Sequence, residues 1–135
     1  MAILPAVELD HVGIAAADAS EVPLATALGA SALALVTMES GVAVGRFGPG
    51  ETIELVVPAQ EGNPIERFLE RRGAGLHHIA LRVDKPLPAI LASLQAAGIE
   101  PVGPIEPSSD GRPCVFLHPS TTGGVLVELV EGPRV

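Results

Sequence analysis

Apolar and polar positions along the chain form short runs whose period changes from one stretch to the next. Residues 8–15 read as a short β-rich run. Ser20 is placed to cap a short helix through Leu28, which Gly29 ends. Three strand-like runs follow at 31–38, 41–48 and 51–58, separated by glycines and charged residues. The same order then returns. A strand is expected at 76–84, a helix at 87–97 closed by Gly98, and strands near 99–105, 113–118 and 124–131. Each half therefore predicts β-α-β-β-β. Between the halves, Asn63 is a good N-cap, Pro64 suits the first helical position and Glu66 completes a capping box. Ile65, Phe68, Leu69 and Arg72 share one helical face, and Gly73 supplies the stop. A packed connecting helix over 63–73 is expected, joining a first module at about 7–58 to a second at about 75–131 within one 135-residue domain.

The two halves also resemble each other in wording. Leu9-Asp10-His11-Val12-Gly13-Ile14-Ala15 returns as Leu76-His77-His78-Ile79-Ala80-Leu81: Leu-x-His, then a β-branched residue, then a small one. Ile53-Glu54-Leu55-Val56 returns as Val127-Glu128-Leu129-Val130. In each half the histidine comes first and the glutamate later.

Strand alternation turns this repeat into chemistry. Neighbouring strand residues point to opposite faces, so His77 and His78 cannot serve one site. The repeat register matches His78 to His11, and His77 to Asp10. Glu54 and Glu128 each sit between two apolar residues, where a carboxylate buried alone costs several kcal/mol. Taken singly, a strand histidine is usually a structural hydrogen-bonder and a strand glutamate usually faces solvent. Two of each, recurring in register, ask for a shared explanation, and a divalent ion held by His11, Glu54, His78 and Glu128 provides one. Four ligands leave two positions of an octahedral ion for substrate or water. Nitrogen and oxygen donors suit Co, Mn, Ni, Fe or Zn and do not rank them. His118 falls outside the repeat and reads as structural or substrate-facing. Arg67, Arg71 and Arg72 read as a solvated helix face, with an anion site as the alternative. Gly123 and Gly124 read as the turn before the last strand.

Composition narrows the classes. The formal charge is −8, and there is no Tyr or Trp, so neither a basic face nor a stacking platform for nucleic acid is expected. No apolar run is long enough for a membrane span. The single cysteine, Cys114, rules out an internal disulfide framework and a thiolate cluster. No basic-then-apolar start is visible, so a cytoplasmic location is expected.

Six strings, read together, resemble one known family. They are Leu-Asp-His-Val-Gly-Ile-Ala at 9–15, Ile-Glu-Leu at 53–55 with Pro58 following, Asn-Pro-Ile-Glu-Arg-Phe-Leu at 63–69, Gly-Leu-His-His-Ile-Ala-Leu-Arg-Val-Asp at 75–84, Phe-Leu-His-Pro at 116–119 and Gly-Gly-Val-Leu-Val-Glu-Leu at 123–129. They resemble the vicinal oxygen chelate superfamily, which includes glyoxalases, extradiol dioxygenases and antibiotic-resistance proteins, and within it the methylmalonyl-CoA epimerases. The resemblance implies an α+β fold of two tandem βαβββ modules, whose mixed sheet cups a metal site. It implies ligation by His11, Glu54, His78 and Glu128, with Gln replacing the residue at 54 in some members, and usually a homodimer. The implied reaction interconverts (R)- and (S)-methylmalonyl-CoA by proton abstraction and a metal-stabilised enolate, with Glu128 as ligand and base. Some members carry a second catalytic Glu where this chain has Val44, and a valine cannot move a proton. The alternatives are another metal enzyme of the superfamily, such as a lactoylglutathione lyase or a dioxygenase, or a metal-free small-molecule-binding protein.

Overall fold

The structure, a computed structural model, describes residue 4, residues 6–29 and residues 34–134. Within it the chain divides into two compact units, His11–His77 and Met1–Asp10 together with His78–Val135. No helix among the described residues is long and apolar enough to cross a membrane.

In the unit His11–His77, the strands are β1 (Val7–Ala15, from His11 onward), β2 (Val36–Thr37), β3 (Val42–Phe47) and β4 (Ile53–Pro58), and the helices are α1 (Pro23–Ala27) and α2 (Pro64–Arg72). The sheet order is β2-β3-β4-β1. β1 runs parallel to β4, and the remaining pairs are antiparallel. Alternation sends Ala43, Phe47, Leu55 and Val57 to one face, under Val22 and Ala25 around α1. It sends Ala15, Val42, Val44 and Val56 to the other, under Ile65, Phe68 and Leu69 of α2. Several sequence expectations shift here. Ser20 does not cap a continuous helix: Asp18 caps a short 3-10 turn at Ala19–Glu21, and the α-helix restarts at Pro23. The pyrrolidine ring explains the break, because it supplies no N–H to the preceding turn yet suits a first helical position. Of the strand expected at 31–38, residues 31–33 lie outside the described residues, and Val36–Thr37 is the strand among residues 34–38. The connecting helix forms as expected. The Asn63 side chain accepts from the backbone N–H groups of Ile65 and Glu66 at 3.0 and 3.2 Å, and the C-terminal Gly73 has φ 72°. Glu66, however, accepts from Gly62 N–H at 3.4 Å, one residue outside the N-cap.

The other unit contains β5 (Gly75–Val83, from His78 onward), α3 (Leu87–Ala96), β6 (Pro101–Pro107), β7 (Pro113–Leu117) and β8 (Val127–Glu131). The order is β5-β8-β7-β6, again with one parallel pair, β5 with β8. Leu87, Ile90 and Leu94 of α3 cover Val83, Val115, Leu117 and Leu129. Pro86, at the N-cap, has no side-chain acceptor to offer α3, and Glu131 takes that role by accepting from Leu87 N–H at 2.7 Å. The last strand starts later than expected, because Gly123 and Gly124 turn at φ 77° and 88°.

A buried ion network in this unit was not anticipated from the sequence. Asp10, fully buried, receives both terminal nitrogens of Arg112 at 2.8 and 3.1 Å. Arg112 Nε also donates to Asp110 at 2.8 Å and Nη1 to the Gly132 carbonyl at 3.0 Å, so the guanidinium fork is used on both sides. Burial pushes the Asp110 carboxyl up, but hydrogen bonds from Arg112 and Ser108 outweigh it and hold it at about 2. Its ordinary value is 3.8, so this group adds stability above that pH, and the contribution disappears as pH falls through about 2. Asp110→Asn is therefore expected to flatten the fall in unfolding free energy between those limits. Urea titrations at stepped pH check this, and an unchanged slope would contradict it.

Candidate metal centre

Each unit builds one His–Glu pair by the same local rule. In the unit His11–His77, Gly13 of β1 is the Cα partner of Glu54 in β4. His11 lies two residues earlier on β1, hence on the same face. Its Nε2 stands 3.5 Å from Glu54 Oε1, and both residues are buried. In the other unit, Ala80 of β5 is the partner of Glu128 in β8, and His78 lies two residues before Ala80. Its Nε2 is again 3.5 Å from Glu128 Oε1, and again both residues are buried. The small residues Gly13 and Ala80 leave each glutamate a neighbour that fills little of the space beside it.

The antiparallel strand on the glutamate's other side differs between the halves. Opposite Glu54 stands Arg46 of β3, with Nε 3.5 Å from Glu54 Oε2. Opposite Glu128 stands Phe116 of β7, whose ring meets the His78 imidazole edge-to-face at 5.6 Å. Arg46 was not singled out in the sequence. Its signal is there in retrospect: it is a cation two residues beyond Val44 on a strand that is otherwise almost wholly apolar.

The other candidates separate cleanly. His77 points away from His78 and packs edge-to-face on Phe68 at 4.9 Å. His118 is exposed and accepts from Ser120 N–H at 3.2 Å, a structural role in a short turn. Val44 pairs with Val56 on the Glu54 face and is buried there among aliphatic side chains. Arg72 lies over the Phe68 ring at 5.6 Å, whereas Arg67 and Arg71 lie on the exposed side of α2.

The donor chemistry of each pair fits a divalent ion. A separation of 3.5 Å exceeds the roughly 2.7–2.9 Å of a charge-assisted hydrogen bond. It suits two donors of one ion, whose own bonds would be about 2.0–2.2 Å. Imidazole nitrogen with carboxylate oxygen is a borderline-hard set, appropriate to first-row divalent metals.

Comparison with known proteins gives a consistent result. Residues 10–116 match the Glyoxalase/Bleomycin resistance protein/Dioxygenase superfamily. An ethylmalonyl-CoA/methylmalonyl-CoA epimerase of Cereibacter sphaeroides is 43% identical over 86 residues, which is 62% of this chain and 63% of that protein. The human mitochondrial methylmalonyl-CoA epimerase is 36% identical over 129 residues, covering 91% of this chain and 73% of its own length. The chain thus spans somewhat under two thirds of the bacterial relative and nearly three quarters of the human one. Among solved structures, the methylmalonyl-CoA epimerase of Mycobacterium tuberculosis superposes with a TM-score of 0.76 at 34% identity, over 93% of this chain and 89% of that one.

Proposed function

The chain belongs to the Glyoxalase/Bleomycin resistance protein/Dioxygenase superfamily, and from that premise we propose that it is a metal-dependent epimerase interconverting (R)- and (S)-methylmalonyl-CoA. The observation that carries the proposal is the recurrence of a buried His–Glu pair at equivalent positions of both halves, in a chain whose relatives are named for this reaction. His11, Glu54, His78 and Glu128 together would hold one divalent ion, with cobalt(II) the first to test and Mn, Zn, Ni and Fe also compatible. Such an ion supplies Lewis-acid stabilisation of negative charge developing on the thioester oxygen.

The chain's own residues do the rest. Glu128 has two carboxylate oxygens: one as ligand, the other to accept the proton from the carbon between thioester and carboxylate. Burial on a face lined by Ala80, Cys114 and Val130 keeps that carboxylate away from bulk water. Inversion requires the proton to return on the opposite face of the planar carbanion. Val44 has no group to deliver it, so that donor is not residue 44. We extend the proposal to a homodimer acting on an acyl-CoA in the cytoplasm. Light scattering of the purified protein tests the dimer.

The expected result is solvent deuterium uptake at the acidic carbon when methylmalonyl-CoA is incubated with protein and Co(II) in D₂O, followed by NMR. No uptake above the rate without protein would remove the epimerase reading. Val44 favours a second reading, another metal enzyme of the superfamily. Turnover of the hemithioacetal of glutathione and methylglyoxal, without deuterium uptake by methylmalonyl-CoA, would select a lactoylglutathione lyase instead.

A further inference from the structure

The two halves of the chain repeat a three-strand pattern around each glutamate, and the residue paired with the glutamate on the antiparallel strand differs in character between them. Opposite Glu128 the third strand supplies the Phe116 ring, while opposite Glu54 it supplies the Arg46 guanidinium. Arg46 shares its sheet face with Val42 and Val44, and its side chain is only 13% exposed. A cation held so far from water needs a charge partner, and Nε lies 3.5 Å from Glu54 Oε2. Glu54 Oε1, the other oxygen, is the one beside His11 Nε2. The carboxylate is thus bridged, with one oxygen toward the cation and one toward the imidazole.

We propose that Arg46 is the positioning residue for Glu54, holding Oε2 so that Oε1 is turned toward His11 for metal ligation. This rests on the reading of His11 and Glu54 as ligands. It adds a division of labour between the two carboxylates. Glu54, tied to a fixed cation, is the spectator ligand, and Glu128, paired across β7 with Phe116, keeps the base role proposed above.

The sign of one measurement separates this role from a bystander charge. An unattached cation near a divalent ion repels it, so removing that cation would tighten metal binding. A cation clamping a ligand acts as an outer-shell partner, whose loss typically weakens binding by about 10–100-fold. Calorimetric titration of the metal-free protein with Co(II) is therefore expected to show Arg46→Met weaker than wild type by roughly tenfold. Arg46→Lys, which keeps the charge but loses the planar fork, should fall between them. In a Glu54→Ala background, Arg46→Met should cause no further loss. Thermal melting of each metal-free variant checks folding, and Arg46→Lys carries the comparison if Arg46→Met does not fold. Tighter or unchanged Co(II) binding in Arg46→Met would overturn the proposal, as would an equal loss with and without Glu54. If the wild type takes up no Co(II), or keeps its affinity in His11→Ala, the ligand assignment fails first and Arg46 loses its role with it.

Discussion

His78→Ala is expected to purify without the proposed divalent ion and to lose the proposed epimerase activity, while His77→Ala keeps metal content and turnover near wild type. The two residues are adjacent, so the contrast tests orientation rather than location. His78 is buried with Nε2 3.5 Å from Glu128. His77 is partly exposed and packs on Phe68 from the opposite side of the strand. Removing a metal ligand should cost more than removing an outer-shell partner, hence over about 10–100-fold in affinity. Losing several kcal/mol of charge stabilisation lowers kcat/KM by about 10²-fold or more. Elemental analysis of both variants, with the deuterium-uptake assay, decides the matter. Equal metal loss in the two would show that the register of β5 is misassigned.

Arg112→Met should produce a large loss of stability, although it lies away from the His–Glu pairs. Asp10 is fully buried, and Arg112 meets it with two hydrogen bonds while also engaging Asp110 and the Gly132 carbonyl. Breaking a buried ion pair from one side typically costs about 3–5 kcal/mol, because a charge is left in a poor environment. Replacing both partners, as in Asp10→Leu with Arg112→Met, should cost less than the single change. Urea denaturation gives the comparison directly. A loss under about 1 kcal/mol in Arg112→Met, the range of an exposed pair, would mean that the network is not desolvated as the geometry indicates. Asp10 immediately precedes His11 on β1, so metal affinity in this variant would report whether the anchor also holds the ligand in place.

Much of this architecture is legible in the sequence because it depends on period and repetition. Glycine stops, the Asn63-Pro64 start and the alternation around Glu54 and Glu128 are local signals, and the elements they predict form. The pairing of His11 with Glu54 and of His78 with Glu128 could be read because each half repeats the other. What could not be read depends on particular distant partners. Arg112 is 102 residues from Asp10, and nothing in either local pattern announces the pair. Ser20 misled because Pro23, three residues on, overrides a weak cap. Arg46 was passed over because only strand register shows that it faces Glu54 and not solvent.

Gly13 and Ala80 have a further consequence. Each is the residue directly across from the glutamate of a His–Glu pair, and each contributes at most one side-chain carbon. Recognition of such a module therefore depends on missing volume as well as on the donors themselves. A chain with both histidines and both glutamates but a valine or leucine two residues after either histidine would keep the proposed donors and crowd the glutamate across the strand pair. Size at that position is thus a filter for separating chelating members of the fold from those that have kept its outline and closed the site.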